Sequence, residues 1–293
     1  MIYVKRLILP SDAAETSVIT AEKRTCFSSF YPFKLFPMKG LRSLELGELT
    51  MFYGGNGSGK STLLNVLAGC LDADRYSDFN SSPFFDRYVS LCHTELLRHP
   101  PRSTVLTSDD VFDYVLSARD VNSRIDQRRE ELFDKYVAVR GEALQNPDIG
   151  LLHGLDDYAR WRDTRDILSK RRSQSQYVRE RNARDVDLYS NGETSMRYFL
   201  DRIDRDGVYL LDEPENSLSV EYQIELADYL RSALRSSRVQ LVVATHSPIL
   251  LSIEGAKIYD LDACPVAECG WTELPNVRRY FGFFISRREE FEK

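Results

Sequence analysis

The chain has 293 residues, 42% of them hydrophobic, enough for one large α/β domain with a helical insertion or for two small domains. A formal net charge of −6 argues against nucleic-acid or membrane binding over the whole surface, so any such contact must come from a local patch. No run approaches the ~18 apolar residues of a membrane span, and the first ten residues carry too short an apolar run for a signal peptide. The five scattered cysteines therefore read as reduced cytosolic thiols. Cys264 and Cys269 form one close pair, but no second pair or nearby histidine completes a metal site.

Residues 2–9 read as a first strand, and 41–46 and 49–53 as two more, separated by Gly47. The apolar run 49–53 stops at a glycine-rich loop, after which Leu63, Leu64, Val66 and Leu67 give a helical apolar face ending near Gly69. Residues 72–86 are polar and read as a loop; 88–91 and 104–107 read as short strands around Pro100-Pro101. From 111 to 185 the chain is highly charged and mostly lacks Gly and Pro. Ile125, Leu132 and Tyr136, then Tyr158, Trp161 and Ile167, recur at helical spacing, which predicts several helices with breaks near Asn146-Pro147 and between Gly150 and Gly154. The runs 207–211, 239–244 and 257–261 have the short β-branched character of buried parallel strands, with an amphipathic helix over 221–235. The expected fold is α/β with a mainly parallel core sheet, an N-terminal antiparallel β part and a helical insertion: a core from 1–110 and 186–293, and a helical subdomain over 111–185.

Chemistry concentrates at three places. The loop Gly54-Gly55-Asn56-Gly57-Ser58-Gly59-Lys60-Ser61-Thr62 satisfies the Walker A pattern in its required setting, after a strand and before a helix. Its glycines let backbone N–H groups wrap phosphates, and the helix start adds a positive dipole end. Lys60 is placed to reach the β and γ phosphates, and Ser61 to sit on Mg²⁺. Next, Val208-Tyr-Leu-Leu-Asp212-Glu213-Pro214 runs an apolar strand into two acids, at the strand end where parallel sheets bind ligands. Asp212 is the expected Mg²⁺ holder and Glu213 the general base that polarises the attacking water. Finally, the strand over 239–244 ends at Thr245-His246-Ser247, putting His246 in position to touch a γ-phosphate. The plain alternatives are a glycine turn, solvated acids and a surface histidine, and none explains the three together. His93, His99 and His153 lack such a setting.

A fourth segment gains meaning from its place. Ser190-Asn191-Gly192-Glu193 alone is a helix N-cap with an acid in the first turn. It follows the helical insertion and lies about twenty residues before the acid pair. The order of Walker A, helical subdomain, signature, Walker B, D-loop and switch histidine resembles the ABC ATPases over residues 40–250, with Ser190 to Glu193 like the signature motif and Ser217-Leu218-Ser219 like a D-loop. Within that family, the Asp-Glu-Pro-Glu-Asn run and the Thr-His-Ser-Pro ending resemble soluble AAA family ATPases whose heads are related to RecF, RecN and SMC proteins.

The resemblance implies ATP and Mg²⁺ as ligands, and a homodimer through ATP in which Ser190 and Gly192 of one head act in trans on nucleotide held by the other. It also implies a cytoplasmic ATPase switch in DNA repair or in bacterial, including antiviral, defence; the alternative is the nucleotide-binding subunit of an ABC transporter. The sequence departs from the family in places. Where the Q-loop glutamine is expected it reads Ser108-Asp109-Asp110, so either one of these assists the metal or water, or the role is absent. Ser219 replaces the usual D-loop aspartate. Phe30, Tyr31, Phe33 and Phe36 compete as a base-stacking aromatic, with a core role preferred. No Asn-Lys-x-Asp motif points to GTP. The basic stretch 160–184 (Arg160, Arg162, Arg165, Lys170, Arg171, Arg172, Arg179, Arg181, Arg184) reads either as a solvated helical face with i,i+4 pairs or as a docking face for an effector or nucleic acid. At about 1.5 Å per helical residue, the insertion is a stub rather than a coiled-coil arm.

Overall fold

The computed structural model describes residues 1–24, 26–27, 29–145, 164–165, 167–168, 173–182 and 191–292. The chain divides into two compact units, Met1–Asp113 with Ser190–Lys293, and Tyr114–Tyr189.

The first unit holds two sheets. Strand β1 (Val4–Ile8) is the centre of a small antiparallel sheet, flanked by β2 (Ser43–Glu45) and β4 (His93–Leu96). The main sheet runs in the order β5 (Ser103–Thr107), β6 (Gly207–Asp212), β7 (Val239–Ala244), β3 (Leu49–Tyr53), β8 (Lys257–Asp260), β9 (Ala267–Cys269). All its pairings are parallel except β8 with β9. The central strands β3 and β7 are buried at every position, so they read as mostly apolar runs, broken by Thr50 and Gln240, rather than alternating ones. One core layer lies on the side of helix α2 (Lys60–Cys70), where Leu63, Leu64, Val66 and Leu67 are fully buried. The other packs α6 (Asn191–Arg202) and α7 (Val220–Ser236) through Phe199, Leu226 and Leu230. Helix α1 (Asp12–Ala21), capped by Ser11, precedes the aromatic segment that carries Phe33 and Phe36.

Residues 88–91 are not a strand. Phe84, Phe85 and Tyr88 fall on one face of a helical turn, α3 (Phe85–Val89), which packs against α2 where Gly69 lies beside Val89; a Cβ on Gly69 would come within 3.0 Å of that side chain. β4 follows it and pairs with β1.

The second unit is built on α4 (Ser108–Gln145), which starts in the first unit and runs unbroken for 38 residues. Leu132 and Tyr136 bury against Ile167 and against Tyr177 and Val178 of α5 (Gln174–Arg181), whose start is a capping box between Ser173 and Gln176. The expected breaks after Gln145, Tyr158 and Trp161, and Arg160, Arg162, Lys170, Arg171, Arg172 and Arg184 of the basic stretch, lie outside the described residues. Of the rest of that stretch, Arg181 stacks over the Tyr177 ring at 4.4 Å.

Candidate functional site

The register of the main sheet brings three chain segments to one edge. Phe52 of β3 pairs with Ala244 of β7, and Ala244 with Asp212 of β6. The glycine loop, the acid pair and Thr245-His246 therefore leave the sheet side by side, at its carboxyl end. Backbone bonds continue the alignment past the strands, from Thr245 N–H to Phe52 O at 3.0 Å and from Glu213 N–H to Ala244 O at 2.9 Å.

The loop's geometry depends on glycine at particular points. Gly57 (φ 78°) and Gly59 (φ 97°) occupy left-handed backbone that side chains disfavour. A Cβ on Gly54 would stand 2.5 Å from Ser58 Oγ. No side chain caps the start of α2, so its first N–H groups face the loop. Ser58 Oγ is buried with no partner. Lys60 is 4% exposed, and its ammonium donates to Gly54 O (2.9 Å) and Gly55 O (3.2 Å) and pairs with Glu213 Oε1 at 3.3 Å.

Ser61 Oγ donates to Asp212 Oδ1 at 2.9 Å. Burial pushes the Asp212 carboxyl up to about 6, with the Ser61 bond and nearby Lys60 opposing and Glu213 adding to the rise. Glu213 holds left-handed backbone (φ 47°, ψ 51°), and its second oxygen accepts from Asn216 Nδ2 at 2.9 Å. Strain of this kind costs of order 1–3 kcal/mol and persists where the surroundings fix it. A cleft of about 430 Å³ opens beside Ser61, with Asp212, Glu213, Asp78, Asp109 and Tyr31 in its wall. A serine hydroxyl beside a carboxylate is a hard-oxygen donor set that suits Mg²⁺, and the uncapped helix start with an orphaned Ser58 hydroxyl suits phosphate.

Residues 103–252, just over half of the chain, match the family described as "AAA domain, putative AbiEii toxin, Type IV TA system". The chain belongs to this family of ABC-type P-loop ATPases. Two curated relatives are "Hemin import ATP-binding protein HmuV" from Rhodopseudomonas palustris. The protein from strain BisB5 is 27% identical over 205 residues, covering 68% of this chain and 66% of that protein. The protein from strain ATCC BAA-98 / CGA009 is 28% identical over 210 residues, covering 69% and 64%. The chain thus spans just under two thirds of the length of these relatives. A solved structure, the Smc head domain with an extended coiled coil bound to the C-terminal domain of ScpA from Pyrococcus furiosus, aligns over 100% of both chains at 12% identity and a TM-score of 0.41, a likeness too weak to bear on function.

In this P-loop ATPase, sequence reasoning missed two side chains that hold the site. Glu215, two residues past Glu213, is buried, and its Oε1 accepts from Thr245 Oγ1 (2.7 Å), His246 N–H (2.7 Å) and Ser247 N–H (3.2 Å). His246 Nδ1 lies 3.3 Å from the same oxygen, while the ring is half exposed. With Nδ1 directed at Glu215, Nε2 is the nitrogen left for other contacts. Asp262, beyond β8, accepts from the Gly55 N–H at 2.7 Å and so braces the phosphate loop. An acid after Pro214 was visible in the sequence, but its target was not. The partner of Asp262 is a backbone amide 207 residues away, which no local pattern announces.

Phe33 and Phe36 are core residues, and Phe30 packs on Phe84 at 4.9 Å. Tyr31 alone of the four lines the cleft, its hydroxyl 2.7 Å from Thr62 Oγ1. Asp110 is buried and occupied, accepting from Thr107 N–H at 2.8 Å and from Ser77 Oγ, whereas Asp109 faces the cleft. Ser190 lies outside the described residues, as does the side chain of Asn191. Gly192 has a packing reason of its own, since a Cβ there would meet the Tyr222 ring at 2.5 Å. All five cysteines are free, and no group of three or more His, Cys, Asp or Glu residues is placed to hold a metal among the described residues.

Proposed function

We propose that this chain binds ATP with Mg²⁺, hydrolyses it, and uses the cycle to close and open a head-to-tail homodimer, acting as a cytoplasmic switch for a partner in DNA repair or antiviral defence. The observation that carries the reading is the convergence of Lys60, Ser61, Asp212, Glu213 and His246 at one sheet edge, with Lys60 3.3 Å from Glu213 and Ser61 2.9 Å from Asp212.

The loop from Gly54 to Thr62 cradles the phosphates with backbone N–H groups, and Lys60 meets the β and γ phosphates. Ser61 and Asp212 hold Mg²⁺, which when bound offsets charge on the phosphate oxygens. Glu213 takes a proton from the attacking water as its oxygen bonds to the γ-phosphorus and the bond to ADP breaks. His246 contacts the γ-phosphate through Nε2, oriented by Glu215. Ser190, Asn191, Gly192 and Glu193 complete the partner head's site in trans. Exposed Val220 and Ile224 lie directly after the D-loop-like Ser217 to Ser219 and support an interface there. The stretch 160–184 is the proposed docking face for an effector or nucleic acid.

A second reading, the nucleotide-binding subunit of a transporter, is favoured by the names of the curated relatives. No helix among the described residues is long and apolar enough to cross a membrane. Phosphate release separates hydrolysis from binding. Glu213→Gln should keep ATP affinity and lose roughly 10²-fold or more in rate, and Lys60→Ala should lose both. Hydrolysis at the wild-type rate by Glu213→Gln would sink the assignment. Stable co-purification with a membrane protein would move the function to the second reading.

A further inference from the structure

Glu213 stands at the head of a short, tightly held turn. It opens the 3₁₀ turn Pro214–Ser217 from left-handed backbone. Contacts on both sides fix that turn. Pro214 sets the first backbone angle. Buried Glu215 ties the turn to the segment after β7, accepting from Thr245 Oγ1 and from the N–H groups of His246 and Ser247. Gln223 of α7 donates from its amide to Leu218 O at 3.1 Å, and its oxygen accepts from Ser247 Oγ at 2.7 Å. Asn216, exposed on this turn, reaches back to the acid. Its backbone N–H donates to Glu213 O at 3.1 Å, and its Nδ2 donates to Glu213 Oε2 at 2.9 Å. A carboxylate can only accept, so the amide nitrogen must be the atom that faces it. Asn216 lines the same cleft as Ser61, Asp212 and Glu213. The other carboxylate oxygen, Oε1, lies 3.3 Å from the Lys60 ammonium. The two oxygens are thus distinguished: a neutral amide holds Oε2, and a cation that phosphate would draw away holds Oε1.

We propose that Asn216 is a positioning residue for hydrolysis: it holds Oε2 of Glu213 and so leaves Oε1 as the oxygen that receives the proton of the attacking water. The proposal rests on the reading of Glu213 as the general base. In the nucleotide-free arrangement Lys60 occupies Oε1. When Lys60 turns to the phosphates, Oε1 loses its cation and faces the cleft, whereas the Asn216 bond has no need of nucleotide. A glutamate carboxyl is broadly free about its last torsion. Fixing one of its oxygens keeps the other within reach of a water, and small misplacements of a reacting group are costly in rate. The amide suits this task because it is a donor without charge. It orients Oε2 without adding a second cation that would compete with Lys60 for phosphate or with Mg²⁺ for the carboxylates. An aspartate in its place would have nearly the same size but would set one carboxylate against another. The two residues after Pro214 therefore divide the work: Glu215 turns inward to His246, and Asn216 turns to the base.

Steady-state phosphate release, paired with equilibrium binding of ATP to the same full-length variants, tests this. Asn216→Ala should lower kcat roughly tenfold or more while ATP affinity stays within twofold of wild type, which also shows that the variant is folded. Asn216→Asp should be slower still than Asn216→Ala. A residue that only packs gives the opposite order, because aspartate keeps the shape of asparagine and alanine does not. In the Glu213→Gln background, adding Asn216→Ala should change the residual rate by less than about twofold, since no base is left to position. An Asn216→Ala rate within twofold of wild type, an aspartate variant faster than the alanine variant, or the same tenfold loss repeated in the Glu213→Gln background would overturn the proposal and leave Glu213 as the base. Hydrolysis at the wild-type rate by Glu213→Gln would instead remove the reading on which the proposal rests, and the proposal with it.

Discussion

At Asp212, burial raises the carboxyl from an ordinary 3.8 to about 6. The folded state thus holds this proton more tightly than the unfolded chain does. The resulting stabilisation is fully present below pH ~4 and is lost as pH rises through about 6. Asp212→Asn copies the protonated form, so near pH 8 it should be more stable than wild type by about 3 kcal/mol and unfold at a higher temperature. That margin should close as the pH falls to about 4, and thermal melts at the two pH values check it. Mg²⁺-dependent ATP affinity should instead rise through about 6 in wild type and be absent in Asp212→Asn. Glu215 makes a different prediction. One oxygen serves the Thr245 hydroxyl and two backbone N–H groups, and the other is buried without a partner. Glu215→Ala strands three donors and releases His246, and should cost hydrolysis roughly 10²-fold with ATP affinity little changed. Glu215→Gln keeps an accepting oxygen in place and should recover most of the rate. Rates for the alanine variant within twofold of wild type would remove Glu215 from the site.

Among the elements, Gln240 helps join the two sheets of the first unit, as does Tyr259, whose hydroxyl bonds the Glu45 backbone of β2. Gln240 of β7 is fully buried; its oxygen accepts from Tyr3 N–H (2.9 Å) and Val4 N–H (2.8 Å), and its amide donates to Val4 O (2.8 Å) and Gly47 O (2.9 Å). Gln240→Leu leaves those backbone groups unpaired and should lower unfolding free energy by about 2–4 kcal/mol in urea without altering nucleotide affinity. Gln240 stands out as the polar residue of an otherwise apolar strand, but its role was not legible because its partners are more than 190 residues away. Strands β3, β6 and β7 were legible because burial on both faces leaves mostly apolar runs. The walls of the phosphate loop were legible because glycine and lysine spacing reflects backbone geometry. β4 was not, since its polar His93-Thr94-Glu95-Leu96 is held by pairing with β1. The apolar residues near Tyr88 looked like a strand because a single helical turn is too short to show its period.

For the molecule as a whole, the proposed head-to-tail contact depends on nucleotide and on Ser190 and Gly192. The most direct measurement is the solution mass of Glu213→Gln with Mg²⁺, in the presence and absence of ATP. The account predicts a monomer that becomes a dimer on ATP, and loss of that change in Ser190→Arg with ATP binding retained. A chain that binds ATP and stays monomeric would contradict it, leaving Ser190 and Gly192 as the cap and close packing of an ordinary helix.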